Sequence, residues 1–257
     1  MDPYAWELNP EAFVVVPVLT VAYVLTVRRV ETATWRIVCF LAAMVLLVIV
    51  SATPVHTLGM HYLLTMHLLQ NVVLAEWAPL LVVLAIPPAV GAAMGGSPTI
   101  RAVTHPAVAL PLWLANYMVW HLPWLYDRAL ENPNTLLHLE HAMYFATGTA
   151  MWWCVFQDEP HRLGAGARAA YVFAAFVLAS PIGLVIALVP NAIYGFYVHA
   201  HHRVWGLTPL GDQQLGGMLM ALEQAVVFCG VFGYWLFRFL AEEEHPEDTE
   251  YPALGRP

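Results

Sequence analysis

The amino-acid sequence predicts an all-α polytopic membrane protein, a bundle of seven transmembrane helices with its N-terminus outside and its C-terminus inside. Of its 257 residues, 60% are hydrophobic and only 11% are charged, and the mean hydropathy is +0.63. A soluble domain usually has about a quarter of its residues charged. The apolar residues also form runs long enough to cross a bilayer of about 30 Å at about 1.5 Å per helical residue. A transmembrane β-barrel would show short segments of alternating polarity instead.

Seven apolar runs account for the predicted helices. The first has no basic residue before it, so we expect a retained helix rather than a cleaved signal peptide, although the run is short and contains Pro17. Turn-forming sequences such as Pro87-Pro88 separate the later runs. In chain order the runs comprise residues 12–27, 34–52, 62–86, 106–121, 137–156, 169–189 and 214–237.

The arginine residues define the predicted orientation. The chain contains no lysine, and eight of its ten arginines fall on one side of the seven runs, whereas only Arg128 and Arg203 fall on the other. Because cytoplasmic loops of membrane proteins carry an excess of basic residues, the side with eight arginines is predicted to be inside. The eight are Arg28, Arg29, Arg36, Arg101, Arg162, Arg168, Arg238 and Arg256.

Residues 1–240 are therefore interpreted as one seven-helix transmembrane domain, followed by an acidic cytoplasmic tail at residues 241–257. Six of the 18 acidic residues lie in that tail together with three prolines, a composition typical of disordered segments. The charge pattern gives no indication of a nucleic-acid-binding surface. The partner that the composition requires is the lipid bilayer.

The histidines are distributed unevenly over this topology. Nine of the 12 fall at or near the predicted outer face, whereas His105, His161 and His245 fall inside. His138 and His141 are spaced i, i+3, which puts both imidazoles on one helical face with about 5–6 Å between their Cβ atoms. The nine outer residues are His56, His61, His67, His121, His138, His141, His199, His201 and His202.

The last run adds polar and small residues on neighbouring helical stripes. Asp212 and Gly216 share one stripe with Glu223, and Gly217 shares the next with Met220. The two glycines allow another helix to approach closely. Polar groups inside a bilayer are costly and usually face the interior of the bundle.

Imidazole, carboxylate and thioether groups near one membrane face suit copper better than magnesium or calcium. Methionine favours Cu(I), but the residue types allow either Cu(I) or Cu(II). Zinc would accept the same histidines and has less use for a thioether. Structural alternatives remain: His138 and His141 could cap a helix, Met220 could be a packing residue, and Asp212 could be the N-cap of the seventh helix.

Several segments resemble the CtaG-type cytochrome c oxidase assembly factors. The resemblance covers about residues 62–224, and its most specific elements are the His-x-Pro-x-x-Tyr and Asp-Gln-Gln sequences. The matching segments are Trp120-His121-Leu122-Pro123-Trp124-Leu125-Tyr126, Leu137-His138-Leu139-Glu140-His141, Phe145, Trp152-Trp153, the stretch from His67 to Pro87, and Asp212-Gln213-Gln214-Leu215-Gly216-Gly217 with Met220.

This resemblance implies a multi-pass protein of a prokaryotic plasma membrane that matures a haem-copper oxidase by handling copper. The metal-site residues it implies are His67, His121, His138, His141, Asp212 and Met220. The family's third-span motif usually has a second histidine one turn after the first, where this chain has Asn71; His61 or Met66 could compensate.

The leading hypothesis is a copper-binding assembly factor that is not an enzyme. It would accept copper at the outer face, with a soluble copper chaperone as a candidate partner, and pass it to a subunit of the oxidase. One alternative is a membrane oxidoreductase that holds copper or haem, with His67 and His141 as axial ligands of a haem. Another is an ion or proton transporter that uses Glu76, Asp212 and Glu223. A structural subunit of a larger complex is the remaining alternative.

Overall fold

Each of the seven apolar runs folds into a helix in the computed structural model, which describes residues 2–7, 9–200 and 202–244. Apart from its terminal turns, a helix satisfies its backbone hydrogen bonds within its own segment, as an apolar environment demands. The helices of the described residues are α1 (Glu11–Val27), α2 (Thr34–Ala52), α3 (Pro54–His61), α4 (Leu64–Ala85), α5 (Pro88–Gly95), α6 (Pro98–Val103), α7 (Pro106–Trp120), α8 (Pro123–Glu131), α9 (His138–Phe156), α10 (Ala165–Leu188), α11 (Gly195–Val198) and α12 (Pro209–Glu244), and a π-helical turn at Pro133–Leu137 directly precedes α9.

Proline marks where several of these helices begin. α3, α5, α6, α7 and α8 all start with a proline, whose missing N–H costs nothing at the first helical position and whose fixed φ is already helical. The end of α12 includes the first residues of the predicted tail, up to Glu244, and the rest of that tail lies outside the described residues.

Four helices are long and apolar enough to cross a membrane: α2, α4, α10 and α12. The all-helical class and the membrane character predicted from the sequence are thus confirmed. α1 and α7 are shorter, and α9 has 19 residues but carries His138, Glu140 and His141 in its first turn, which lowers its hydropathy. The count of seven spans and the orientation stay predictions.

Close contacts between helices use the glycines of the last run. A Cβ atom added at Gly217 would lie 2.5 Å from the Ala187 nitrogen, so α10 packs directly against this face of α12. A Cβ atom at Gly216 would lie 3.1 Å from the Thr65 Cα, so α4 packs against the neighbouring face. The predicted close approach at the two glycines is therefore confirmed.

α4 is the central helix, the most buried of the four long ones, and it contacts α2, α9 and α12. A π-helical turn interrupts it at Val73–Trp77. The backbone of this turn touches α9: a Cβ atom at Gly148 would lie 2.1 Å from the Ala75 carbonyl oxygen, and Trp152 Nε1 donates to the Glu76 carbonyl oxygen at 2.9 Å. Such turns frequently occur at functional positions.

Candidate metal centre

Three buried histidines from three helices come together around Tyr126 of α8. We call His67, His121 and His141 the histidine trio; their exposed fractions are 0%, 7% and 3%. The ring centroids of His67 and His141 are 6.2 Å apart, and the Tyr126 ring lies 5.1 Å from that of His67 and 6.2 Å from that of His121. Residues 74 positions apart in the chain therefore share one small volume.

Local structure holds each member of the trio in place. His67 lies in the first turn of α4, and His141 lies in the first turn of α9. His121 is the C-cap residue of α7, just before α8 begins at Pro123, and its Nδ1 donates to the Tyr117 carbonyl oxygen at 2.7 Å. This bond leaves His121 Nε2 with a free lone pair.

Glu11 orients the histidines at the start of α9. Its Oε1 accepts hydrogen bonds from His138 Nδ1 at 2.9 Å and from His141 Nδ1 at 2.8 Å. Because a carboxylate only accepts, both imidazoles carry their proton on Nδ1 and present Nε2 as the free acceptor. His138 differs from the buried His141 in that 30% of its side chain is exposed.

Most of the trio's nitrogens have no hydrogen-bond partner among the described residues. Both ring nitrogens of His67 and the Nε2 atoms of His121 and His141 are buried and unpartnered, and so is the Tyr126 hydroxyl. Leaving one buried polar group unsatisfied costs about 1–3 kcal/mol, so such groups rarely accumulate without a purpose. They are the atoms of the trio and of Tyr126 that are available to a ligand.

The trio is not arranged as a finished coordination shell. Within residues 2–7, 9–200 and 202–244, no group of three or more His, Cys, Asp or Glu side chains has metal-binding geometry. With a metal–nitrogen bond of about 2 Å, two imidazoles on one ion have their ring centroids about 5–6.5 Å apart. The 6.2 Å between His67 and His141 lies within that range.

Asp212 lies apart from the trio and caps α4. Its carboxylate accepts from Leu64 N at 2.7 Å, from Thr65 N at 3.0 Å and from the Thr65 hydroxyl at 2.7 Å. It thereby supplies acceptors for the N-terminal N–H groups of a helix other than its own. Asp212 thus positions the helical turn that carries His67.

Met220 is fully buried where α12 meets α10. A Cβ atom added at Gly183 of α10 would lie 3.2 Å from the Met220 Cβ. Of the six residues implied by the resemblance, the structure brings together His67, His121 and His141, with His138 at their edge, and it positions Asp212 and Met220 in helix contacts.

Asn71, where a second histidine was expected, pairs with another polar residue. Its Nδ2 donates to Glu140 Oε1 at 3.2 Å, and both side chains are buried. The two suggested substitutes lie elsewhere. His61 Nε2 is 3.4 Å from Glu7 Oε1, and Met66 packs in a separate apolar cluster with Leu63.

A second polar cluster surrounds His56 in α3. Its Nδ1 is 3.0 Å from Gln70 Nε2, and its Nε2 is 3.3 Å from Asn9 Nδ2. Burial lowers the pKa of His56 below the ordinary 6.5 because it disfavours the imidazolium, and this outweighs the opposing attraction of Glu7. His56, His61 and His138 line one open cleft.

The remaining histidines make local contacts. His199 Nδ1 bonds to the Gly195 carbonyl oxygen at 2.7 Å, and the rings of His105 and His161 pack edge to face with centroids 4.8 Å apart. His202 is exposed, whereas His201 and His245 lie outside the described residues.

Sequence reasoning missed Glu11, Glu140 and Tyr126. The available signal was weak: Glu11 is the last acid before the first apolar run, and Glu140 lies between the paired histidines. Tyr126 belongs to a segment already singled out, but nothing local to it indicated that its ring would lie between helices.

Comparison with known proteins gave one match. The family model described as cytochrome c oxidase caa3 assembly factor matches residues 21–242 of this chain. The matched region includes the whole histidine trio, whereas Glu11 precedes it. No curated protein and no solved structure matches the chain significantly.

Proposed function

Because the chain belongs to the cytochrome c oxidase caa3 assembly factor family, we propose that it binds copper and delivers it to a haem-copper cytochrome c oxidase. Copper is the cargo in this proposal, and a subunit of the oxidase is the acceptor. The observation that carries the proposal is the set of unpartnered ring nitrogens that the histidine trio buries around Tyr126.

The donor set favours copper or zinc over magnesium and calcium. Magnesium and calcium prefer oxygen ligands, whereas imidazole suits copper and zinc. The Glu11 bond to His141 Nδ1 supports the proposal further, because metal-binding histidines almost always donate their other N–H to a carboxylate or a carbonyl. His121 has the equivalent bond to a backbone carbonyl oxygen.

Delivery requires that the ion can enter and leave. His138 is part exposed, borders the cleft that also contains His56 and His61, and shares Glu11 with the buried His141. We infer that the ion passes from this cleft through His138 to the trio. A soluble copper chaperone of the outer compartment is the proposed donor, which would dock over the cleft.

Metal analysis of the purified protein tests this function. We expect about one copper per chain in the wild type and a sharp loss in His138→Ala/His141→Ala and in His67→Ala. His199→Ala is the matched control, because His199 bonds to the Gly195 carbonyl oxygen within its own helical turn. Unchanged copper content in the variants would refute this placement, and a haem Soret band in the wild type would favour the redox alternative.

A further inference from the structure

Two glutamates meet where α4 crosses α12, away from the histidine trio. Gln224 Nε2 donates to Glu76 Oε1 at 2.7 Å, and Trp77 Nε1 donates to Glu223 Oε2 at 2.7 Å. Thus Glu76 of α4 bonds to Gln224 of α12, and the next residue of α4, Trp77, bonds to the preceding residue of α12, Glu223. This crossing brings the carboxyl groups of Glu76 and Glu223 side by side.

One oxygen of each carboxyl group has a donor, and the other does not. Glu76 Oε2 and Glu223 Oε1 are buried, and no N–H or O–H donor reaches either of them among the described residues. Glu76 is fully buried, and Gln224, aimed into the pair, is 1% exposed with its own Oε1 also unpartnered. Two facing carboxylates would repel each other, whereas one O–H proton between them satisfies both.

The surroundings provide no competing cation. Tyr117 of α7 is a titratable group beside the pair, and its hydroxyl accepts from Gln224 Nε2 at 3.1 Å. From α9, Trp152 approaches with its indole N–H on the Glu76 carbonyl oxygen. No arginine or histidine in the described part of the chain forms an ion pair or hydrogen bond with either carboxyl group.

We propose that Glu76 and Glu223 form a single proton-binding site between α4 and α12, in which one dissociable proton is shared by two carboxyl groups. Gln224 and Trp77 each donate to one carboxyl oxygen, which leaves Glu76 Oε2 and Glu223 Oε1 to share the proton. Loss of the proton leaves two adjacent carboxylates and pushes the helices apart. This proposal does not depend on copper binding.

Infrared spectroscopy of the purified full-length protein at neutral pH tests the proposal. The wild type should show the C=O stretch of a protonated carboxyl group that shifts in D2O, and both Glu76→Gln and Glu223→Gln should lose it, because the new amide donates to the remaining carboxylate. The same band should remain in Glu140→Gln, which removes a different buried carboxyl group. A wild type without the band, or a band that persists in both glutamine variants, overturns the proposal.

Thermal unfolding gives a second readout that does not require a spectral assignment. The stability of the wild type should fall as pH rises above the ordinary glutamate pKa of about 4.3, because the folded protein keeps a proton that the unfolded chain releases. The fall should be smaller in Glu76→Gln, because an amide does not titrate. Equal losses in the two proteins contradict the proposal. Copper content should be unchanged in Glu76→Gln, so failure here is distinguishable from failure of the copper proposal.

Discussion

Replacement of Glu11 offers a sensitive test of what orients the imidazoles of the candidate metal centre. One oxygen, Oε1, accepts from His138 at 2.9 Å and from His141 at 2.8 Å, so Glu11→Ala removes the shared acceptor of both hydrogen bonds. His141 then loses the bond that keeps its proton on Nδ1 and its Nε2 free. Removing a partner of a metal-binding histidine typically weakens metal affinity about 10–100-fold, equivalent to about 1.4–2.7 kcal/mol.

The assay is a competition titration with a chromophoric Cu(I) chelator, with Glu7→Ala as the matched control. Glu7 is also an N-terminal carboxylate beside histidines, but its oxygens lie 3.4 Å from His61 and 3.8 Å from His56, and such part-exposed pairs contribute about 0–1 kcal/mol. We expect Glu11→Ala to raise the Kd for copper about 10–100-fold and Glu7→Ala to raise it less than about 5-fold.

Nitrogen NMR of the metal-free protein distinguishes a change in the His141 tautomer from a general loss of structure. The wild type should show His141 protonated on Nδ1, and Glu11→Ala should show a mixture of tautomers. If Glu11→Ala and Glu7→Ala have the same affinity for copper, or if the His141 tautomer does not change, Glu11 does not act through the imidazole and the reasoning is wrong.

Three further predictions concern stability in detergent. Asp212→Ala should destabilise the protein by about 2–4 kcal/mol, because the backbone N–H groups of Leu64 and Thr65 at the start of α4 lose their acceptor; thermal melting no lower than in the wild type would contradict the capping role. Gly217→Ala should lower the free energy of unfolding by about 1–3 kcal/mol, because the added Cβ forces α10 away. Gly230→Ala should be neutral or stabilising, because nothing lies within 4 Å of its added Cβ. Equal melting temperatures of the two variants would refute this contrast. Because the pKa of His56 is lowered in the folded protein, the unfolded chain takes up a proton at a higher pH than the folded one. The stability of the wild type should therefore fall as pH drops below about 6.5, and the stability of His56→Gln should fall less. Parallel pH profiles of the two proteins would show that His56 is not the cause.

The positions of the helices were largely predictable from sequence because they depend on local properties. The run 34–52 matches α2 at both ends, since its apolar content and its flanking residues are set within the segment itself. The spacing of His138 and His141 on one helical face is equally local, and the geometry of a single helix ensures it. The close approach at Gly217 followed from the absence of a side chain.

The partners of polar side chains were not predictable in the same way. Asp212 could be expected to cap its own helix, yet it caps α4, 147 residues earlier, because the packing of α12 at Gly216 brings the two helix ends together. Asn71 in place of a histidine had no evident role until α9 brought Glu140 against it.

By itself, the sequence predicted an all-helical membrane protein, the approximate positions of its seven longest helices and the family motifs that carry the histidines, because hydropathy and helical periodicity act over a few residues. It did not predict the short helices α3, α5, α6, α8 and α11. Only the tertiary structure decided that Glu11 bonds to histidines 127 and 130 residues away, and that Glu76 and Glu223 meet. Those contacts depend on which faces of separate helices pack together, and that is settled by side-chain fit over the whole bundle rather than by any one segment.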